Sequence, residues 1–230
     1  FSLDGGMHWS NSNKPPTGDK VTSLILNTAY SADVPIYAAT AGHESAVSVS
    51  YDKGLTWEQI SLIDTRILDI IDVAIPPDFD RTGAIFLLTG DVERSLWRSI
   101  DGGGSWSRIF STRLPHVDRL DMVLLSSSYS RNHEFYLSGI SDGKPAIWKF
   151  KNNGQNFLRL FSRDPVTGSP AQIDCWAIAP DDAIFTGSFD GDRGYLYQLT
   201  PGRTFYSRRT PVGYLSLNSI ALSPDYPADR

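Results

Sequence analysis

Short apolar runs separated by clusters of Gly, Pro, Asn and Asp follow one another along the whole chain, and none carries the sustained 3.6-residue periodicity of a helix. Pro35-Ile36-Tyr37-Ala38-Ala39-Thr40, Ala84-Ile85-Phe86-Leu87-Leu88-Thr89, Glu134-Phe135-Tyr136-Leu137-Ser138 and Ala183-Ile184-Phe185-Thr186-Gly187 predict strands. Ile36, Ile85, Phe135 and Ile184 lie 49, 50 and 49 residues apart. A further run precedes each of these, around Ile25, Val73, Val123 and Ala177, and a fifth stands at Ile220-Ala221-Leu222. The turn between the two runs holds an aromatic at Tyr30, Phe79 and Tyr129, and again at Tyr226, but in the fourth unit it is trimmed to Pro180-Asp181-Asp182. Each unit therefore predicts four short strands; in the second they fall near 67–75, 84–89, 94–100 and 106–111.

The end of the third strand in each unit meets a recurring phrase. Three copies are nearly complete: Ser2-Leu3-Asp4-Gly5-Gly6-Met7-His8-Trp9, Ser50-Tyr51-Asp52-Lys53-Gly54-Leu55-Thr56-Trp57 and Ser99-Ile100-Asp101-Gly102-Gly103-Gly104-Ser105-Trp106. Two eroded copies, Asn152-Asn153-Gly154-Gln155-Asn156-Phe157 and Thr200-Pro201-Gly202-Arg203-Thr204-Phe205, keep the glycine and an aromatic. The closing aromatics are spaced by 48, 49, 51 and 48 residues, which means one structural unit stacked several times. The physical reading is a hairpin clamp. The Asp is expected to accept N–H bonds from one or two residues on, Gly to supply a positive φ, the hydroxyl before the aromatic to bond the same carboxylate, and the aromatic to fold back as an apolar anchor. Asp4, Gly6, Trp9, Asp52, Gly54, Trp57, Asp101, Gly103 and Trp106 are thus the expected structural residues.

Four-stranded antiparallel units repeating at this period predict an all-β chain, a β-propeller of about 49 residues per blade. The clamp resembles the Asp-box, or bacterial neuraminidase repeat, of sialidases, sortilin-type receptors, xyloglucan-cleaving glycosidases and photosystem II assembly factors. That resemblance implies a fold and does not choose among functions. Asn152 and Thr200 depart from it in place of Asp, and Phe157 and Phe205 in place of Trp. The expected division is 1–15 as the last strand of a blade, blades at 16–63, 64–112, 113–163 and 164–211, and 212–230 as the first strand of another. Because the outer parts read as a blade without its middle strands, the chain is expected to be a piece of a longer propeller, of six to eight blades by the usual build of the resemblance group.

Composition narrows the function. With 40% hydrophobic and 20% charged residues the chain suits a packed β protein. A net charge of −5 argues against nucleic-acid or anionic-membrane partners, and no run approaches membrane-spanning length. The absence of an Asn-x-Ser/Thr acceptor leans toward a bacterial source. Cys175 reads as a small buried hydrophobe, and the scattered His8, His43, His116 and His133 make no metal cluster, so neither metal nor cofactor is expected.

The loops on the far side from the clamps collect mixed charges. Glu44, Glu93, Arg94, Asp142, Asp190 and Asp192 are the candidate ligand-binding residues, flanked by the interblade segments Asp64-Thr65-Arg66, Thr112 to His116 and Ser162-Arg163-Asp164. No catalytic residue is assigned. Sialidases of the resemblance group use three arginines, an acid and a Tyr–Glu pair, the first arginine in an Arg-Ile-Pro phrase ahead of the first clamp. Here the nearest phrase, Arg113-Leu114-Pro115, follows the third clamp. Near-uniform units also leave no room for catalytic insertions. The expectation is a non-enzymatic binding or scaffolding propeller, extracytoplasmic or at a cell surface, docking a protein or glycan partner; the alternative is a glycoside hydrolase, sialidase-like or endo-glucanase-like.

Overall fold

The computed structural model describes residues 1–2, 4–26, 34–42, 45–62, 69–76, 78–90, 94–111, 116–151, 154–223 and 226. The chain forms two compact units, Phe1–Arg113 and Leu114–Arg230. In the first, β1 (Lys20–Leu26), β2 (Ile36–Ala41), β3 (Ala46–Ser50) and β4 (Glu58–Leu62) make one sheet. β5 (Ile70–Ala74), β6 (Ile85–Thr89), β7 (Ser95–Ser99) and β8 (Ser107–Ser111) make the next, with a single helical turn, α1 (Phe79–Thr82), between β5 and β6. The second unit repeats the plan. β9 (Arg119–Leu125), α2 (Tyr129–Asn132), β10 (Phe135–Ser141), β11 (Lys144–Lys151) and β12 (Asn156–Phe161) precede a sheet of β13 (Cys175–Ile178), β14 (Ile184–Phe189), β15 (Gly194–Leu199) and β16 (Arg208–Gly213). Every neighbour in the four sheets is antiparallel and sequential, the meander of a propeller blade.

The apolar runs become the second strands because those strands are covered on both faces; β2 and β6 are buried along their whole length. Tyr37, Val47 and Val49 of the first sheet pack with Ile70, Val73, Ile85 and Leu87 of the second. Phe79 of α1 stands edge-on to Tyr37 at 5.1 Å. In the second unit Tyr136, Ile147 and Leu160 pack with Ile184, Tyr197, Leu199 and Tyr206. The recurring aromatic of the turn is thus a core residue: Phe79 and Tyr129 are buried on one-turn helices closed by left-handed Gly83 and His133. A single turn has no periodicity to read, which is why the sequence shows only a turn there.

Two expectations change. The units look uniform in length, but the connection between β12 and β13 runs to thirteen residues, 162–174, where 63–69 and 112–118 are seven each. The next connection compensates, with five residues at 179–183 against ten at 75–84 and nine at 126–134. An insertion and a deletion cancel in the period. Ile220, Ala221 and Leu222 form no strand, and residues 10–13 make only isolated bonds, Ser10 with Phe1 and Asn13 with Leu55, where a strand needs a continuous ladder.

Candidate functional site

The clamps build the turn after the third strand of their repeat. Asp52 Oδ1 accepts the Thr56 N–H at 2.8 Å and its Oδ2 accepts the Thr56 hydroxyl; Asp101 does the same with Ser105 at 2.8 and 2.6 Å. The N–H therefore comes from four residues on, not one or two, since Gly54 at φ +88° and Gly103 at φ +99° turn the chain back over the carboxylate. The sequence reading missed the serine two places before each Asp. Ser50 and Ser99 donate to Oδ1 at 2.8 and 2.7 Å and accept the N–H of Gly54 and Gly103, each at 2.8 Å. Ser2 and Asp4 repeat this pattern, with His8 Nδ1 taking the place of the hydroxyl at 2.5 Å. The Ser105 hydroxyl and N–H, with the Ser99 hydroxyl, hold the Asp101 carboxyl down at about 2.

The aromatic anchor is not general. Trp57 is 6% exposed and Trp106 packs on the first core, but Trp9 stands largely in solvent and Phe157 and Phe205 are half-exposed. Gly102 N–H bonds the Gly83 carbonyl at 2.9 Å, so the clamp and the helical turn of one sheet share an end, as the loop alternation implied.

Among the loop candidates, Glu44 and Glu93 lie outside the described residues, and Arg94 leads into β7 from the β6–β7 connection. Asp142 sits at the tip of the β10–β11 hairpin at φ +49°, 3.1 Å from His116 Nδ1 and 3.8 Å from the Arg159 guanidinium. Asp190 caps its own β14–β15 turn through the Asp192 and Arg193 N–H groups, whose bonds lower its carboxyl pKa. Asp192 lies 3.7 Å from Arg193, which also rests on the Tyr214 ring. No hydrogen bond or ion pair joins Asp142 to Asp190 or Asp192 among the described residues. Cys175 is buried, which pushes its thiol up.

The long connection 162–174 is a built structure. Arg163 bridges Pro170, the Asp164 N–H bonds the Ser169 carbonyl, and the Gly168 N–H bonds the Asp164 carbonyl. Its inward residues are Ser162 and Asp164, both buried; Arg163 between them points out. Asp164 accepts from Val166 and Thr167 N–H, from the Tyr197 hydroxyl at 2.8 Å and from Arg209 at 2.7 Å. Burial by itself would raise this carboxyl, but the Arg209 guanidinium and the three other donors outweigh it and bring it to about 2. Beside the loop a cavity of about 340 Å³ is lined by Phe161, Arg163, Asp164, Pro165, Gly168 and Phe205. A second, of about 270 Å³, lies between β12 and the turn after β15, with Lys149, Lys151 and Arg203 among its walls. Neither is lined by Arg94, Asp142, Asp190 or Asp192.

No family model and no curated protein sequence matches the chain. Solved structures do. A structure titled YCF48 bound to D1 peptide aligns with a TM-score of 0.60 at 16% identity, over 92% of this chain and 60% of that one. The nidogen/laminin complex aligns at 0.64 and 12% identity, covering 89% of this chain and 69% of that one. The fold is that of a β-propeller. An ancestral GH74 enzyme matches at 0.55 and 14% identity over 84% of this chain but 26% of its own. The propeller described here thus spans 60% of the length of the YCF48 structure.

Proposed function

We propose that this propeller belongs to the Asp-box group and is a non-enzymatic binding module that docks a protein or glycan partner through its loops, outside the cytoplasm or at a bacterial cell surface. The Ser, Asp and Gly bonds shared by the three complete clamps, with a hydroxyl on the carboxylate in two and His8 in the third, support the group. The observation that carries the binding reading is how the loop carboxylates are used: Asp190 closes its own turn and Asp142 is shared between His116 and Arg159, so these acids shape recognition loops. Two of the matching structures carry a bound peptide or partner in their titles, which supports the same reading.

The test is an assay of the purified chain against sialosides and β-glucans, with Asp142→Asn and Asp190→Asn as controls. The expected result is no turnover. Turnover lost on removing one loop carboxylate makes the glycoside hydrolase the better account. Fractionation of the source cells checks the location.

A further inference from the structure

Each unit contains, within itself, a place where the chain after one outer strand or clamp runs beside the next clamp. In the first unit the Asn13 N–H bonds the Leu55 carbonyl at 2.8 Å, Lys14 bridges Thr56, and the clamp aromatic Trp57 is packed away at 6% exposure. In the second unit the Phe161 N–H bonds the Thr204 carbonyl at 2.7 Å and Phe161 bridges Phe205, but Phe205 is 48% exposed and Phe161 52%. Phe in place of Trp leaves the junction unfilled, and the inserted loop stands beside the opening.

We infer that the cavity between Phe161, Phe205 and the 162–171 loop is a recognition pocket for a peptide segment of a protein partner, taking one large apolar side chain with a carboxylate beside it. This rests on the binding-module reading and names its surface. The volume, about 340 Å³, lies within the range of ligand pockets, roughly 300–1,000 Å³. Two half-exposed phenyl rings and Pro165 supply apolar walls, and an aromatic guest side chain gains most from such burial. The charge at the mouth selects the flanking group. Asp164 is spent on Arg209, Tyr197 and its own loop, whereas Arg163 has no ion-pair partner among the described residues. The uncommitted Arg163 guanidinium in the wall favours a carboxylate, which it can hold in bidentate fashion. A sugar would need many hydroxyl partners, and the one acid in the wall has already given its acceptors away. The anchor keeps the pocket formed without a ligand: Ser162 Oγ bonds the Ala171 carbonyl and Asp164 fixes the turn, so little ordering remains to oppose binding.

The experiment titrates the whole chain with a fluorescein-labelled, amidated pentapeptide Gly-Asp-Trp-Glu-Gly, read by anisotropy, beside a peptide with Ala for Trp and one with Asn and Gln for the acids. Cellohexaose and sialyllactose are run by calorimetry. The expected result is saturable peptide binding that weakens at least tenfold with either altered peptide and with Arg163→Ala or Phe161→Ser, while the melting of both variants stays near that of the parent. Both changes are at exposed side chains, and Arg163→Lys should recover part of the loss. No saturable binding, or binding equal in parent and pocket variants, overturns the pocket. Peptide binding lost instead through Arg94→Ala or Asp142→Asn overturns the pocket but leaves the module reading standing. Saturable sugar binding without peptide binding replaces the peptide by a glycan, and turnover of either sugar removes the module reading itself.

Discussion

At the residue scale the clamp's stability resides as much in its serine as in its aspartate. Ser99 is buried, and its oxygen is the acceptor for the Gly103 N–H, so Ser99→Ala strands that donor. The expected loss is about 1–3 kcal/mol in urea unfolding. Loss no greater than that of an exposed substitution such as Ser107→Ala would show that water replaces the hydroxyl. This serine stood in every complete phrase, yet its role was not legible, because it depends on a turn that brings residue i+4 over residue i. Asp164 carries the acid dependence. Its folded pKa of about 2 lies below the ordinary 3.9 or so, so its contribution is present above about pH 4 and lost as pH falls toward 2. A gap near two pH units corresponds to about 2–3 kcal/mol for this buried group. Asp164→Asn should therefore destabilise at pH 7 by about 2–4 kcal/mol, with the half-buried Arg209 left unpaired, and flatten the fall in stability between pH 4 and 2. Parallel acid limbs in parent and variant would assign the acid sensitivity elsewhere.

At the element scale most strands were legible, since the apolar runs and their spacing reflect the two covered faces directly. The second sheet was expected at 67–75, 84–89, 94–100 and 106–111 and has strands at Ile70–Ala74, Ile85–Thr89, Ser95–Ser99 and Ser107–Ser111. What the pattern cannot show is where strands approach too closely for a side chain. Gly139 in β10 lies at the register shift against β9, where an added Cβ would fall 2.0 Å from the Arg119 carbonyl oxygen and 2.9 Å from Leu120 Cα. Both obstacles are backbone, so Gly139→Ala must displace β9 and is expected to cost about 2 kcal/mol or more. Gly143→Ala, in open space at φ +69°, strains only its own torsion, at about 1 kcal/mol. Denaturation midpoints of the two variants check the order, and a larger loss for Gly143 would reverse the account.

At the scale of the whole molecule, the repeat period conveyed the propeller and concealed the place where it is irregular. Counting from clamp to clamp adds every connection in a unit, so the extra length at 162–174 and the missing length at 179–183 cancel before they can be seen. The candidate residues were sought on the four hairpins, where Asp190 proves to serve its own turn and Asp142 to meet His116 and Arg159, and the lengthened connection was read only as one interblade segment among several. The two irregularities also touch different parts of the second unit. Asp182, in the trimmed turn, reaches back to Ser126 and Ser127 at 2.9 and 3.0 Å, whereas the inserted loop is tied to the last sheet through Tyr197, Arg209 and Tyr206. Replacing 162–174 by a seven-residue connection of the length found elsewhere should therefore leave the β-sheet circular dichroism and cooperative melting in place, because the strands and both cores lie mainly outside the loop. Stability should fall by roughly 2–5 kcal/mol, since Arg209 and the Tyr197 hydroxyl lose the carboxylate that holds them. A second change, Arg209→Leu with Tyr197→Phe, removes those stranded groups and should recover part of the deficit. Loss of cooperative unfolding in the shortened chain, unrelieved by that change, would mean that the loop is a member of the core and not an addition to it.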